Sequence, residues 1–158
     1  MQINSHMSVL IHDLAKHYGD REMLVYQDFG GKEWKSLSWN QVSQTVKQVS
    51  NAMLNLGVKV QENIGIFSQN SVQYLECDFG AWGIRAVTIP FYATSSEQQI
   101  QFIINDAKIR FLFVGEQDQY DVHAGWYRSV LLWSGLSYLT LWCISPPTTP
   151  MPFISVIS

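Results

Sequence analysis

Three short apolar runs, IGIF (64–67), AVTIP (86–90) and RFLFV (110–114), alternate with two helix-like segments. That alternation restricts the fold more than any other feature of the chain. Strands buried on both faces read as continuous apolar runs. Between the first two runs, Ser71 to Trp82 carries Val72, Leu75, Phe79 and Trp82 at helical spacing, with Gly83 as a stop. Between the second and third, Ser95 or Ser96 is placed to cap a helix whose apolar face is Ile100, Ile103, Ile104 and Ala107. Short strands joined by amphipathic helices pair in parallel through right-handed crossovers. The expected fold is therefore α/β: a three-layer, mostly parallel sheet with flanking helices, preceded by an N-terminal β-hairpin.

The hairpin is read from MLVYQDFGGKEWKSLSW, where two β-prone runs flank Gly30-Gly31. Before it, residues 8 to 17 suit a short helix, with Ser8 as cap, Gly19 as stop, and Val9, Leu10 and Leu14 inward. After it, Ser38-Trp39-Asn40-Gln41 has the form of a capping box. The helix it opens spaces Val42, Val46, Val49, Met53 and Leu56 along one face, and Gly57 ends it.

Charge divides the chain into two unlike pieces. All thirteen acidic residues lie at or before Asp121. Residues 122–158 hold one charged residue, Arg128, where a soluble stretch of that length would carry roughly nine. The same tail contains three of the six Trp and four of the five Pro. We therefore expect a domain over 1–121 and a distinct uncharged, aromatic and Pro-rich segment over 122–158. The net charge of −3 and the lack of a basic block argue against a nucleic-acid partner. Two distant cysteines, Cys77 and Cys143, form neither a metal-spaced pair nor a disulfide framework, which fits a reducing cytoplasm. The N-terminal residues lack a signal-peptide pattern.

Chemistry-bearing motifs are sparse. The chain holds no G-x-x-x-x-G-K-[ST], no G-x-G-x-x-G and no G-x-S-x-G. His6, His12, His17 and His123 are not spaced as ligands on one helical face, and no metal site is expected. Asp118 and Asp121 have no evident acid–base partner. The loop Phe91 to Ser95 lies where a parallel strand ends and a helix begins, a position that in open α/β sheets faces ligands. The plainer reading makes Thr94, Ser95 and Ser96 capping residues, with Phe91 and Tyr92 packed against neighbours. No residue is assigned a catalytic role, and none is assigned to cofactor binding.

From Ser38 to Val114 the chain resembles the amino-terminal part of the adenylate-forming, AMP-binding enzymes, in particular bacterial long-chain fatty-acid–CoA ligases. The resemblance is carried by the capped helix that ends at Leu56-Gly57, by Asn70-Ser71 with the helix running into GAWGIRAV, and by IPFYATSS. With the upstream YGDREMLVYQDFGGKEWKSLSW it covers about residues 8–121. It implies a parent reaction in which ATP and magnesium turn a fatty acid into an acyl-adenylate, which coenzyme A converts to acyl-CoA, AMP and diphosphate. The family's phosphate loop with its lysine, its adenine- and ribose-binding motifs and its carboxyl-terminal lysine have no counterpart in these 158 residues. The resemblance therefore implies a fragment, inactive alone, that binds no ATP, magnesium or CoA. A non-catalytic binding module and a tail-tethered membrane scaffold are the alternatives.

Past Asp121 the resemblance and the charge stop together, which suggests that the tail is read out of frame. Ser129 to Ile144 is uncharged but short for a membrane span and broken by Ser, Gly and Thr. A cytoplasmic protein is expected, with peripheral contact at the inner membrane as the second option. The incomplete sheet is expected to favour self-association.

Overall fold

The computed structural model describes residues 6–27 and 32–115, together with short strands at 131–133, 139–140 and 155–156. The chain divides into two compact units. One comprises Met1–Val60 and Leu75–Arg85, the other Gln61–Tyr74 and Ala86–Ser158.

In the first unit, α1 (Met7–Tyr18) is followed by the antiparallel pair β1 (Glu22–Gln27) and β2 (Trp34–Ser38), then by α2 (Trp39–Asn55). The expected hairpin is present, while its Gly30-Gly31 turn lies outside the described residues. Val25 pairs with Ser36 and Gln27 with Trp34, so these four share one hairpin face. Leu24 pairs with Leu37 on the other face, and both pack on a core of Ile11, Val42 and Val46. The α1 expectation needs correction in two respects. Its N-cap is His6, with no side-chain cap, and Ser8 sits inside the first turn, its Oγ 2.6 Å from His6 Nδ1. Its buried residues are Ile11 and Ala15, whereas Val9, Leu10 and Leu14 are half-buried. Two short apolar rows were available on α1, and the row that is buried is Ile11 and Ala15, with Ile11 packed against Val42 and Val46 of α2.

The Ser38 capping box forms as expected: Ser38 Oγ accepts from the Gln41 N–H (3.2 Å) and Gln41 Oε1 from the Ser38 N–H (2.8 Å). Val42, Val46, Val49 and Met53 are buried, and Leu56 follows the helix as its C-cap, half-buried. Gly57 takes φ 80°, the left-handed conformation that ends a helix at least cost in glycine.

The second unit is built on parallel strands β3 (Asn63–Phe67), β4 (Val87–Phe91) and β5 (Phe111–Val114), in the order β4-β3-β5. The helices that alternate with them along the chain are α3 (Val72–Gly83), which from Leu75 onward belongs to the first unit, and α4 (Glu97–Asp106) of this unit. From Ile64 onward β3 is buried at every position, as is all of β5, while β4 lies at the sheet edge with Val87 and Pro90 exposed. Three further short strands, β6 (Leu131–Trp133), β7 (Leu139–Thr140) and β8 (Ser155–Val156), continue the sheet beyond β5, the first parallel and the other two antiparallel. The remaining residues of the tail, with most of the Ser129–Ile144 segment, lie outside the described residues. The α/β expectation is met by the parallel strands and the helices that alternate with them.

Ile100 and Ile104 of α4 pack with Phe67, Phe91, Ile109, Leu112 and Val114, and Ile103 and Ala107 join at the margin. At the amino-terminal ends of β3 and β5 the Arg110 guanidinium makes a two-point ion pair with Glu62 and lies 4.5 Å from the Phe111 ring centre. Asn63 Nδ2 donates to the Ala107 carbonyl (2.8 Å), tying β3 to the end of α4.

Candidate functional site

The place to look in such a sheet is outside the carboxyl ends of its parallel strands. Phe67 is in register with Phe91 on one side and Val114 on the other, so the three strands finish level. The Gly115 N–H donates to the Phe67 carbonyl (3.0 Å) and carries the ladder one step further. The segments that emerge there are Ser68–Ser71 after β3 and Tyr92–Ser96 after β4.

Their polar groups are largely committed to the scaffold. Ser96 Oγ accepts from the Gln99 N–H and Gln99 Oε1 from the Ser96 N–H, a second capping box. Ser71 Oγ accepts from the Tyr74 N–H (3.1 Å) at the start of α3, and Ser68 Oγ donates to the Gln69 carbonyl (2.9 Å). The Ser95 N–H donates to the Tyr92 carbonyl (2.8 Å), closing a turn. Of the two candidates Ser95 and Ser96, Ser96 is thus the α4 cap.

Phe91 turns into the core, with its ring 6.3 Å from Phe67 in an edge-on arrangement. Tyr92, expected to pack against a neighbour, is instead 85% exposed. Successive strand residues point to opposite faces, so burying Phe91 turns Tyr92 outward. Glu97 occupies the first turn of α4, where its negative charge complements the helix dipole. One of its carboxylate oxygens is buried without a hydrogen-bond partner. Neither strand-end segment contains Lys or Arg. Capped helix starts, an acidic first turn and no cationic side chain do not suit a polyphosphate, so these described residues do not fit the phosphates of a nucleotide.

Among the described histidines, His6 and His12 make side-chain hydrogen-bond contacts. His6 lies against Ser8, and His12 Nδ1 is 2.7 Å from Ser43 Oγ, linking α1 to α2. Burial, with Lys47 and Lys16 nearby, lowers the His12 pKa, while Asp13 opposes. His17 stacks edge-on with Tyr18. Among the described residues no group of three or more His, Cys, Asp or Glu could hold a metal ion. His123, Asp118 and Asp121 lie outside the described residues.

Two neighbouring groups on α3, neither marked by its spacing in the sequence, are strongly perturbed. Glu76 on α3 is 6% exposed, and burial raises its carboxyl pKa to about 7, against the pull of a hydrogen bond from Thr45. Next to it, burial foremost, then Asp78, pushes the Cys77 thiol well up. The fully buried residues of α3 are Glu76, Cys77, Gly80 and Ala81, while the expected inward set of Val72, Leu75, Phe79 and Trp82 is half-buried. The signal that could have found this stripe is steric. A Cβ on Gly80 would lie 2.6 Å from Val49 Cγ1, and Ser50 Oγ donates to the Gly80 carbonyl (2.8 Å), so small residues bring α3 against α2. Gly83, expected to stop α3, is its last residue, and the left-handed turn falls at Arg85, φ 63°.

The sequence profile described as "AMP-binding enzyme" matches residues 11–131. The long-chain-fatty-acid–CoA ligase FadD15 of Mycobacterium bovis is 26% identical over 94 residues, which are 60% of this chain and 16% of that protein. The human long-chain-fatty-acid–CoA ligase ACSBG2 is 30% identical over 89 residues, 56% of this chain and 13% of that protein. The fold is similar to that of the long-chain-fatty-acid-CoA ligase FadD1 from Archaeoglobus fulgidus, with a TM-score of 0.68 at 16% identity over 79% of this chain and 26% of that one. The match thus spans about a sixth or less of the length of these two curated relatives. With its profile match covering most of its length, the chain belongs to the AMP-binding enzyme family.

Proposed function

We propose that these residues form the amino-terminal α/β portion of a long-chain fatty-acid–CoA ligase and do not carry out acyl activation on their own. The observation that supports this most is the family match over residues 11–131, with an aligned stretch that covers only 16% and 13% of two long-chain-fatty-acid–CoA ligase relatives. In this reading fatty acid, ATP, magnesium and CoA are ligands of a complete ligase rather than of these 158 residues. The physical reason is charge. Forming an acyl-adenylate builds up negative charge on phosphoryl oxygens, which enzymes offset with cations and aimed N–H donors. The described strand-end segments offer neither Lys nor Arg, and serines cap the helix starts beside them.

The test is fatty-acid-dependent ATP–pyrophosphate exchange with the purified chain. Background rates are expected. Calorimetric titration with ATP or AMP separates this reading from a nucleotide-binding module, for which tight binding would be required. Among the described residues no helix is long and apolar enough to cross a membrane. Cytoplasmic residence remains part of the proposal, and a floated membrane fraction that retains the protein would count against it. The out-of-frame origin of residues 122–158 rests on composition, and the coding DNA beyond codon 121 tests it: no shifted frame restoring a charged, family-like continuation means the idea fails.

A further inference from the structure

We propose that the contact between α2 and α3 is a proton-controlled latch, closed while Glu76 is neutral and loosened when Glu76 ionises. Glu76 is the buried charged side chain of the described core, at 6% exposure. It is held there by the close approach one turn further along α3. Gly80 faces Val49 with no room for a Cβ, Gly83 does the same against Ser50 Oγ, and Ser50 donates to the Gly80 carbonyl. With the two helices seated this closely, the Glu76 side chain cannot reach water without parting them. Thr45, one turn before Val49 on α2, hydrogen-bonds the carboxyl, and its Oγ1 also lies 3.2 Å from the Gln41 carbonyl, so its one hydroxyl proton is shared between these two acceptors.

The charged groups around the neighbouring helix contact act elsewhere. Lys16 and Lys47 bear on His12, as does Asp13, and Asp78 bears on Cys77. The causes acting on Glu76 are burial, which disfavours its charge, and the Thr45 hydroxyl, which favours it. An ionised Glu76 therefore has a single weak source of compensation inside the contact, and opening the helices lets water solvate it. The latch rests on the packing of one unit and does not depend on the ligase reading.

Amide hydrogen exchange on the full chain tests the latch, with protection factors for α2 and α3 followed from pH 5 to pH 8 after correction for intrinsic exchange. In the wild type, protection is expected to fall by roughly seventyfold between pH 5 and pH 8, with its midpoint near pH 6 and a plateau above about pH 7. Glu76→Gln keeps the shape without the charge and should hold the acid-side protection across the range. Thr45→Val removes the bond that favours the charged form and should move the midpoint upward. Ser50→Ala should lower protection by a similar factor at every pH, leaving the slope in place. A Glu76→Gln variant that retains the wild-type slope, or a Thr45→Val midpoint that stays put or falls, overturns the proposal.

Discussion

Ionising Glu76 leaves a carboxylate inside the first unit with the Thr45 hydroxyl as its aid. The folded pKa of about 7 lies above the ordinary 4.5, so the folded state holds the proton more tightly than the unfolded one. Stability from this group is intact below pH 4.5 and declines as pH rises toward 7, by on the order of 3 kcal/mol in total. Glu76→Gln should thus raise the melting temperature at pH 8 and leave it nearly unchanged at pH 4.5, a difference calorimetry can read. His12 works in the opposite direction. Its lowered pKa means that acidification below 6.5 must charge a group the fold prefers neutral, so stability is lost as pH falls. A His12→Gln variant should flatten that acid limb and leave the alkaline one untouched. Gly80→Ala should destabilise by about 2 kcal/mol or more, since the added methyl meets Val49 in a packed helix contact. At this scale the sequence was least legible. Nothing in the spacing of Glu76 announces that it is buried, because the cause is the pair Gly80 and Gly83 acting through a second helix.

The regular elements were legible where a local rule and a tertiary demand agree. Both capping boxes, at Ser38 and Ser96, could be anticipated because the partner Gln lies three residues on and the bonds are local. Replacing either serine by alanine should cost about 1 kcal/mol, measured by urea unfolding, with the loss confined to its own helix in exchange experiments. The three parallel strands were equally readable, since strands covered on both faces need unbroken apolar runs. The inward faces of α1 and α3 were not. Each carries two plausible apolar rows, and the choice between them is made by neighbours far away in sequence. On α3 the larger residues lose to small ones, because close helix approach rewards the absence of bulk. The strand-end loop after β4 was readable in part: Ser96 is its cap and Phe91 its anchor, while Tyr92 stands outside.

For the molecule as a whole, the apolar surface left in the open bears on its behaviour in solution. Trp34 is 70% exposed, Phe102 68% and Val25 52%, and Trp34 and Val25 share one face of the hairpin. Exposed large apolar side chains of this kind favour association. We expect dimers or larger species at micromolar concentration, and a monodisperse monomer by size-exclusion chromatography with light scattering would contradict that. Membership of the AMP-binding enzyme family is carried by the match over residues 11–131, whereas the described strand ends lack the cationic groups that an adenylation centre needs. The measurement that bears most directly on this account is fatty-acid-dependent ATP–pyrophosphate exchange by the purified 158-residue chain with no other protein present. A rate at the level of the no-enzyme control is predicted, and reproducible exchange above it that requires the fatty acid would contradict the account.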